Sequence, residues 1–159
     1  MKIEIDQSIK IENTSKDTVL AFSNKESFAI CIKAKTKRQL QEKFRKIGEP
    51  RSFVLRVFSA GVALLLKNYS DKQLEVIIDI EYPGHEKTIK DLILQMYGKI
   101  SSKKIENITF GLIGKNSRAH IVTYNIKIKK RNIEKIITCQ EIEKIAILKL
   151  NNKKRVMKT

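Results

Sequence analysis

The sequence predicts an α/β protein, in which helices flank a mixed β-sheet within a single domain. Three strand-like segments lie close together between residues 1 and 34. Later, a β-branched run within Gln73–Glu86 ends in Pro-Gly and is followed by a helical pattern and a further strand-like run. Short turns favour antiparallel pairing of the first strands, whereas strand, helix and strand in succession predict a parallel, right-handed crossover.

The first strand is predicted within Met1–Glu12, where apolar and polar residues alternate. Ile5 falls on one face of this strand and Asp6 falls on the other. After a polar turn, further strands are predicted near Thr18–Ser23 and Ser27–Ala34. Because short turns join all three, an antiparallel meander is the simplest arrangement.

Two helices are predicted next. In Thr36–Gly48 the apolar residues Leu40, Phe44 and Ile47 recur at helical spacing, and Phe53–Lys67 is apolar on nearly every side, as expected of a core helix. The outer face of the first helix is strongly basic and is either simply solvated or a surface for phosphate contacts. Its cationic residues are Lys37, Arg38, Lys43, Arg45 and Lys46.

The central strand contains two acids. Val76 and Ile78 share one face, while Asp79 and Glu81 share the other, with backbones about 7 Å apart. Two like charges on a mostly buried strand are costly unless cations or hydrogen-bond donors compensate them. Alternatively, the strand end emerges into water and the acids are solvated or paired with lysines. Glu81 precedes the loop, where open α/β sheets build their sites.

The last third of the chain is less uniform. A helix ending near Ile100, a polar linker at Lys99–Asn107 and a strand at Ile108–Ile113 are predicted. In Gly114–Arg131, Ser117 could cap a helix, but the alternation from residue 122 to residue 128 favours a strand. Thr138 and Glu141 have the spacing of a capping box, which predicts a final helix.

The charge of the protein indicates a polyanionic partner. The chain has 159 residues and a net charge of +16, so we expect nucleic acid rather than a membrane surface. Cys31 and Cys139 have neither zinc-site nor disulfide spacing, and no run is long and apolar enough to span a membrane. A cytoplasmic protein is expected, with one domain at 1–150 and a basic disordered tail at 151–159.

Two short motifs add a chemical hypothesis. Ile5-Asp6-Gln7-Ser8 is similar to the I-D-x-G-S motif on the first strand of Holliday-junction resolvases of the RuvC type, although the glycine is missing. Ile80-Glu81 is similar to the I-E at the end of their fourth strand. The order of the predicted elements resembles the ribonuclease H-like superfamily, which has a five-stranded mixed sheet with β1, β2 and β3 antiparallel and β4 and β5 parallel to β1.

The resemblance implies a metal site. Asp6 and either Asp79 or Glu81 would meet across neighbouring strands and bind Mg²⁺ or Mn²⁺, the hard cations that carboxylates prefer. The family normally adds an acid from its closing helix, but Gly114–Arg131 contains no Asp or Glu. The available ligand there is His120, because some family members use a histidine at that place. Further phosphate contacts are expected from Lys115, Arg118, Lys129, Lys130 and Arg131.

The sequence therefore predicts a metal-dependent nuclease that hydrolyses phosphodiester bonds, with Asp6, Asp79, Glu81 and His120 as its catalytic and metal-binding set. The substrate stays open between branched DNA, an RNA–DNA hybrid and single-stranded nucleic acid, and a homodimer is expected from the resemblance only. One alternative is a protein of the same fold that binds nucleic acid without catalysis. Another is an RNA-associated basic protein of unrelated fold.

Overall fold

A mixed sheet of six strands runs through the described part of the chain, which in this computed structural model comprises residues 2–23, 26–69, 73–114, 117–129 and 131–147. The α/β prediction is confirmed. The strands are β1 (Lys2–Ser8), β2 (Thr18–Ser23), β3 (Ser27–Ile32), β4 (Gln73–Asp79), β5 (Lys104–Gly111) and β6 (Lys135–Ile136). The helices are α1 (Ala34–Lys46), α2 (Phe53–Leu66), α3 (Glu86–Ile100), α4 (Arg118–Lys127) and α5 (Cys139–Ala146), and a 3₁₀ turn at Pro50–Ser52 precedes α2.

The strands lie in the order β5-β4-β1-β2-β3-β6. β1, β2 and β3 pair antiparallel, whereas β4 is parallel to both β1 and β5. These pairings agree with the expected meander and crossover. The expectation of five strands was wrong by one, since Lys135 and Ile136 add a short parallel strand beside β3. Two residues are too few for a periodic pattern, so the sequence carries no signal for β6.

The larger core lies on the sheet face covered by α1, α2, α3 and α5. Ile5 and Ile78, which are register partners on β1 and β4, are both buried there. Helix α2 approaches this face closely at Gly61, where a Cβ atom would lie 2.7 Å from the Leu20 side chain. A side chain at residue 61 would therefore require the Leu20 side chain to move.

The opposite face of the sheet is covered by α4 over β1, β2 and β3. Val122 and Ile126 of α4 pack on Ala21 and Ala29, whose small side chains let the helix lie close to the sheet. Farther along this face, Ile77 on β4 is only partly buried. The acid-bearing side of β4 therefore borders α4 but is less covered than the core face.

The strand favoured for residues 122–128 by their alternation was wrong, because the segment forms α4. The Ser117 hydroxyl accepts a hydrogen bond from the His120 amide at 3.0 Å and caps the helix. The alternating residues form two pairs at i, i+4 spacing. Val122 and Ile126 face the sheet, and the other pair, Tyr124 and Ile128, is exposed.

The remaining element boundaries differ modestly from the expectations. β5 begins at Lys104, inside the predicted linker, and β4 ends at Asp79, so Glu81 follows the strand rather than lying within it. The predicted capping box of Thr138 and Glu141 is present at the start of α5. The tail at 151–159 lies outside the described residues. Within the described part of the chain, no helix combines the length and apolarity needed to cross a membrane.

Candidate metal centre

Three carboxylates meet where β1 and β4 end. Asp6 lies on β1, Asp79 is the last residue of β4, and Glu81 follows two residues later. One carboxylate oxygen from each residue lies within 4.8 Å of the other two. The cause is topological, because neighbouring parallel strands bring their carboxyl ends to the same edge of a sheet.

Asp6 is held by two side chains of α4. Its Oδ2 accepts a hydrogen bond from the Thr123 hydroxyl at 2.7 Å and lies 3.2 Å from His120 Nδ1. Burial raises the pKa of Asp6, although the Thr123 hydrogen bond and the nearby His120 oppose that shift. The residue is only 4% exposed, so α4 both covers and orients this carboxylate.

The other two carboxylates are half-buried. Asp79 Oδ1 accepts a hydrogen bond from the Ile113 amide at 2.9 Å, which ties it to the segment after β5. Burial, followed by repulsion from Asp79 and Asp6, raises the pKa of Glu81 to about 7, and Lys10 acts in the opposite direction. The charged form of Glu81 is therefore disfavoured unless a further cation is present.

Tyr82 positions the segment that contains Glu81. Its hydroxyl accepts a hydrogen bond from the Ile11 amide at 3.2 Å, and its ring packs edge-on against Phe58 at 5.1 Å between centroids. The Lys10 ammonium lies 5.6 Å from the centre of the same ring. These contacts join the loop after β4 to the turn after β1, and so keep Glu81 beside Asp6.

The donor set suits a hard divalent cation. Among the described residues, no lysine or arginine forms an ion pair with Asp6, Asp79 or Glu81, and the side chain that contacts Asp6 in their place is the imidazole of His120. Three mutually repelling carboxylates thus remain with little compensation in a chain of net charge +16. Oxygen donors of this kind are the ligands of Mg²⁺ and Mn²⁺. The residues present therefore fit the metal that the resemblance implies.

His120 lies at the site, but its contact is with the Asp6 carboxylate. Its Nδ1 contacts the Asp6 carboxylate, and His120 is not part of the three-residue cluster whose donor atoms lie within 4.8 Å of one another. A histidine in this place can orient a carboxylate and alter its charge without binding a metal itself. Its side chain is 38% exposed, so the ring also faces the open side of the site.

The predicted phosphate contacts of α1 need one correction. Lys37 is fully buried, and its ammonium donates hydrogen bonds to the Asn13 carbonyl and to the Thr18 hydroxyl, so it is not available to a phosphate. Helical periodicity had placed Lys37 on the outer face, but the β1–β2 turn folds over it. The other four predicted cations of α1, Arg38, Lys43, Arg45 and Lys46, are not buried. Of these, Lys43 pairs with Glu143 and Arg45 with Glu42.

The cations predicted near α4 differ in how available they are to a phosphate. Arg118, on the first turn of α4, and Lys129, just after the helix, are exposed. Arg131 already has partners within the protein, because its guanidinium donates hydrogen bonds to Glu134 and to the Ser27 hydroxyl. Lys115 and Lys130 lie outside the described residues.

Thr123, Tyr82 and Lys10 were missed from the sequence. Thr123 and Asp6 are 117 residues apart, so no local pattern links them. Tyr82 offered a weak signal, since it directly follows Glu81 in an otherwise strand-like run. Lys10 belonged to the alternating first segment and had no distinguishing pattern.

Comparisons of the chain with protein-family models, with curated proteins and with solved structures found no match. What the carboxylate cluster can do is therefore inferred from its donor atoms, its surroundings and its place in the sheet. By their chemistry, the three carboxylates are able to hold a divalent cation at the edge where β1 and β4 end.

Proposed function

We propose that the protein is a metal-dependent endonuclease, in which Asp6, Asp79 and Glu81 hold Mg²⁺ or Mn²⁺ for the hydrolysis of phosphodiester bonds. The observation that carries this proposal is the cluster of three carboxylates within 4.8 Å in a protein of net charge +16. A basic protein attracts the nucleic-acid backbone, whereas a bare acidic cluster repels it. A divalent cation at the cluster removes that conflict.

The metal would supply an activated water and stabilise the charge that develops on the leaving oxygen. Neighbouring residues orient the carboxylate ligands. Thr123 and His120 hold Asp6 from α4, and the Ile113 amide holds Asp79. Partners of this kind limit the rotation of ligand carboxylates and so pre-organise the site. Glu81, with a pKa of about 7, exchanges a proton near neutral pH when no cation is bound.

The fold supports the same proposal. An antiparallel β1–β2–β3 meander that continues into parallel β4 and β5, with acids on the adjacent strands β1 and β4, is the arrangement that the resemblance to ribonuclease H-like nucleases implies. We interpret β6 as an addition at the far edge, next to β3. A resolvase-like activity on branched DNA and an activity on RNA–DNA hybrids are both compatible with this interpretation.

One observation favours a second candidate, a protein of this fold that binds nucleic acid without cleaving it. Helix α4 brings a histidine to the site rather than an acid, and that histidine pairs with Asp6. The site then offers three carboxylate ligands, which is a small number for the two metal ions of a two-metal mechanism. The two candidates differ in cleavage but not in binding.

The deciding experiment is a Mn²⁺-dependent cleavage assay on junction, hybrid, duplex and single-stranded substrates. Wild-type protein should cleave at least one of them, and Asp6→Asn should bind the same substrate without cutting it. Glu75→Gln is the matched control, because Glu75 lies on the same face of β4 four residues before Asp79 and outside the cluster. Binding without Mn²⁺- or Mg²⁺-dependent cleavage of any substrate would support the non-catalytic candidate instead.

A further inference from the structure

Helix α4 exposes apolar side chains on the face that turns away from the sheet. The exposed fraction is 45% for Ile121, 53% for Tyr124 and 39% for Ile128. These residues follow one another at spacings of three and four, so they form one stripe. The stripe lies on the same helix as Thr123, which holds Asp6, so an exposed aromatic ring is presented by the helix that borders the carboxylate cluster.

Tyr124 lies on the flank of this stripe nearest the carboxylates. His120, Tyr124 and Lys127 are spaced i, i+4 and i+7, so their side chains follow one line along α4. His120, at the start of that line, contacts Asp6. Tyr124 follows one helical turn later, about 6 Å along the axis. That length corresponds to about two nucleotide steps of a stacked strand.

The charges around Tyr124 identify the kind of partner. Residues 114–131 contain no Asp or Glu, and the exposed cations on and beside α4 include Arg118, Lys127 and Lys129. A second copy bound through the same face would bring an identical set of cations against these ones. A polyanion whose monomers also carry flat aromatic faces complements both the charge and the exposed ring.

We propose that Tyr124 stacks on an unpaired nucleobase of the substrate, one or two nucleotides from the phosphodiester at the carboxylate cluster, while Lys127 contacts a neighbouring phosphate. The position of the cleaved bond rests on the proposed nuclease function, but the stacking does not. In a continuous duplex the base faces are covered by their neighbours, so the ring cannot stack on them. The protein therefore prefers nucleic acid that has an unstacked nucleotide at the site, such as a junction, a gap or a single strand.

The test measures binding in EDTA, so that cleavage is not required. The probes are a single strand and a gapped duplex, each with 2-aminopurine at the unpaired position, together with a continuous duplex of the same sequence. Tyr124→Ala should lower affinity for the unpaired probes about 5- to 150-fold, the usual cost of losing one stacked base. Its effect on the continuous duplex should be less than about 2-fold, and the 2-aminopurine quenching that wild type produces should disappear.

Two further variants separate stacking from general apolar contact. Tyr124→Trp should retain the affinity, whereas Tyr124→Leu, which keeps an apolar side chain but has no ring, should behave like Tyr124→Ala. Ile121→Ala, on the same face, is the matched control and should change affinity by less than about 2-fold. Near-wild-type binding of unpaired probes by Tyr124→Leu would contradict the proposal.

The remaining outcomes are equally decisive. Equal losses on duplex and unpaired probes, no measurable binding of wild type to any probe, or a wild-type dimer that Tyr124→Ala converts to a monomer in sedimentation would each overturn the proposal. If wild type shows the Tyr124-dependent preference but cleaves nothing with Mn²⁺ or Mg²⁺, the nuclease function fails and the stacking site stands.

Discussion

The Thr123 hydroxyl donates a 2.7 Å hydrogen bond to Asp6, although 117 residues separate them. This contact joins α4 to the first strand at the point where the three carboxylates meet. Because Asp6 is buried, its carboxylate needs such a partner to remain charged. Helix α4 is therefore part of the candidate metal centre as well as a cover for the sheet.

Replacement of Thr123 should test this dependence. Thr123→Val keeps the shape of the side chain but removes the donor, so the pKa of Asp6 should rise further and Mn²⁺ affinity should fall about 10- to 100-fold. Thr123→Ser, which keeps the hydroxyl, should restore most of that affinity. Calorimetric titration of the purified variants with Mn²⁺ measures the effect. Equal affinities for Thr123→Val and wild type would show that the hydrogen bond does not organise the site.

The carboxylates themselves should differ in importance. Glu81→Gln should lower the cleavage rate by more than about 100-fold, because the loss of a ligand exceeds the cost of changing an outer partner. Asp79→Asn should be the milder change. Both variants should bind substrate as well as wild type or more tightly, since less negative charge faces the phosphates. Single-turnover cleavage and EDTA binding assays check the two claims, and full activity of Glu81→Gln would remove Glu81 from the site.

The raised pKa values predict how the stability of the metal-free protein depends on pH. The pKa of Glu81 rises from 4.5 to about 7 on folding, so the folded state binds the proton more strongly than the unfolded state does. The stabilising contribution of the protonated form is complete below pH 4.5 and is lost as the pH rises through about 7. Asp6 acts in the same direction. In urea melts without metal, Glu81→Gln should flatten the decline of unfolding free energy between pH 4.5 and 7.

Metal binding should also depend on whether Glu81 is protonated. A divalent cation must displace the proton that Glu81 holds near neutral pH, so Mn²⁺ affinity should fall as the pH drops below about 7. Calorimetry at pH 6.5 in two buffers of different ionisation enthalpy should report proton release by wild type and less release by Glu81→Gln. Identical proton release by both proteins would assign the coupled proton to another group.

Lys37 should behave as a structural residue rather than a phosphate contact. Lys37→Met keeps the apolar stem but leaves the Asn13 carbonyl and the Thr18 hydroxyl without their donor. We expect a loss of roughly 1–3 kcal/mol in unfolding free energy. Lys46→Met, on the exposed side of α1, is the control and should leave stability nearly unchanged. Urea denaturation compares the two, and equal stabilities would contradict the role assigned to Lys37.

The sequence by itself determined most of the elements and the face of the strand on which Asp79 lies. Periodicity located β1 to β4 and the helices α1, α2, α3 and α5, because a buried face imposes its spacing on the local sequence. The alternation of a strand placed Asp79 on the face opposite Val76 and Ile78. That Asp6 lies on the neighbouring strand was implied only by the resemblance to ribonuclease H-like proteins, and the structure shows β1 paired with β4. These properties depend on residues close together in the chain, or on topology that follows from short connections.

Only the tertiary structure decided what surrounds the acids. Residues 117–129 carry patterns for both a strand and a helix, and packing of Val122 and Ile126 on Ala21 and Ala29 selects the helix. The same packing brings Thr123 and His120 to Asp6, and a turn from another part of the chain buries Lys37. The physical reason is that such contacts join residues far apart in sequence. Their energy comes from burial and hydrogen bonding in the assembled fold, which no local propensity encodes.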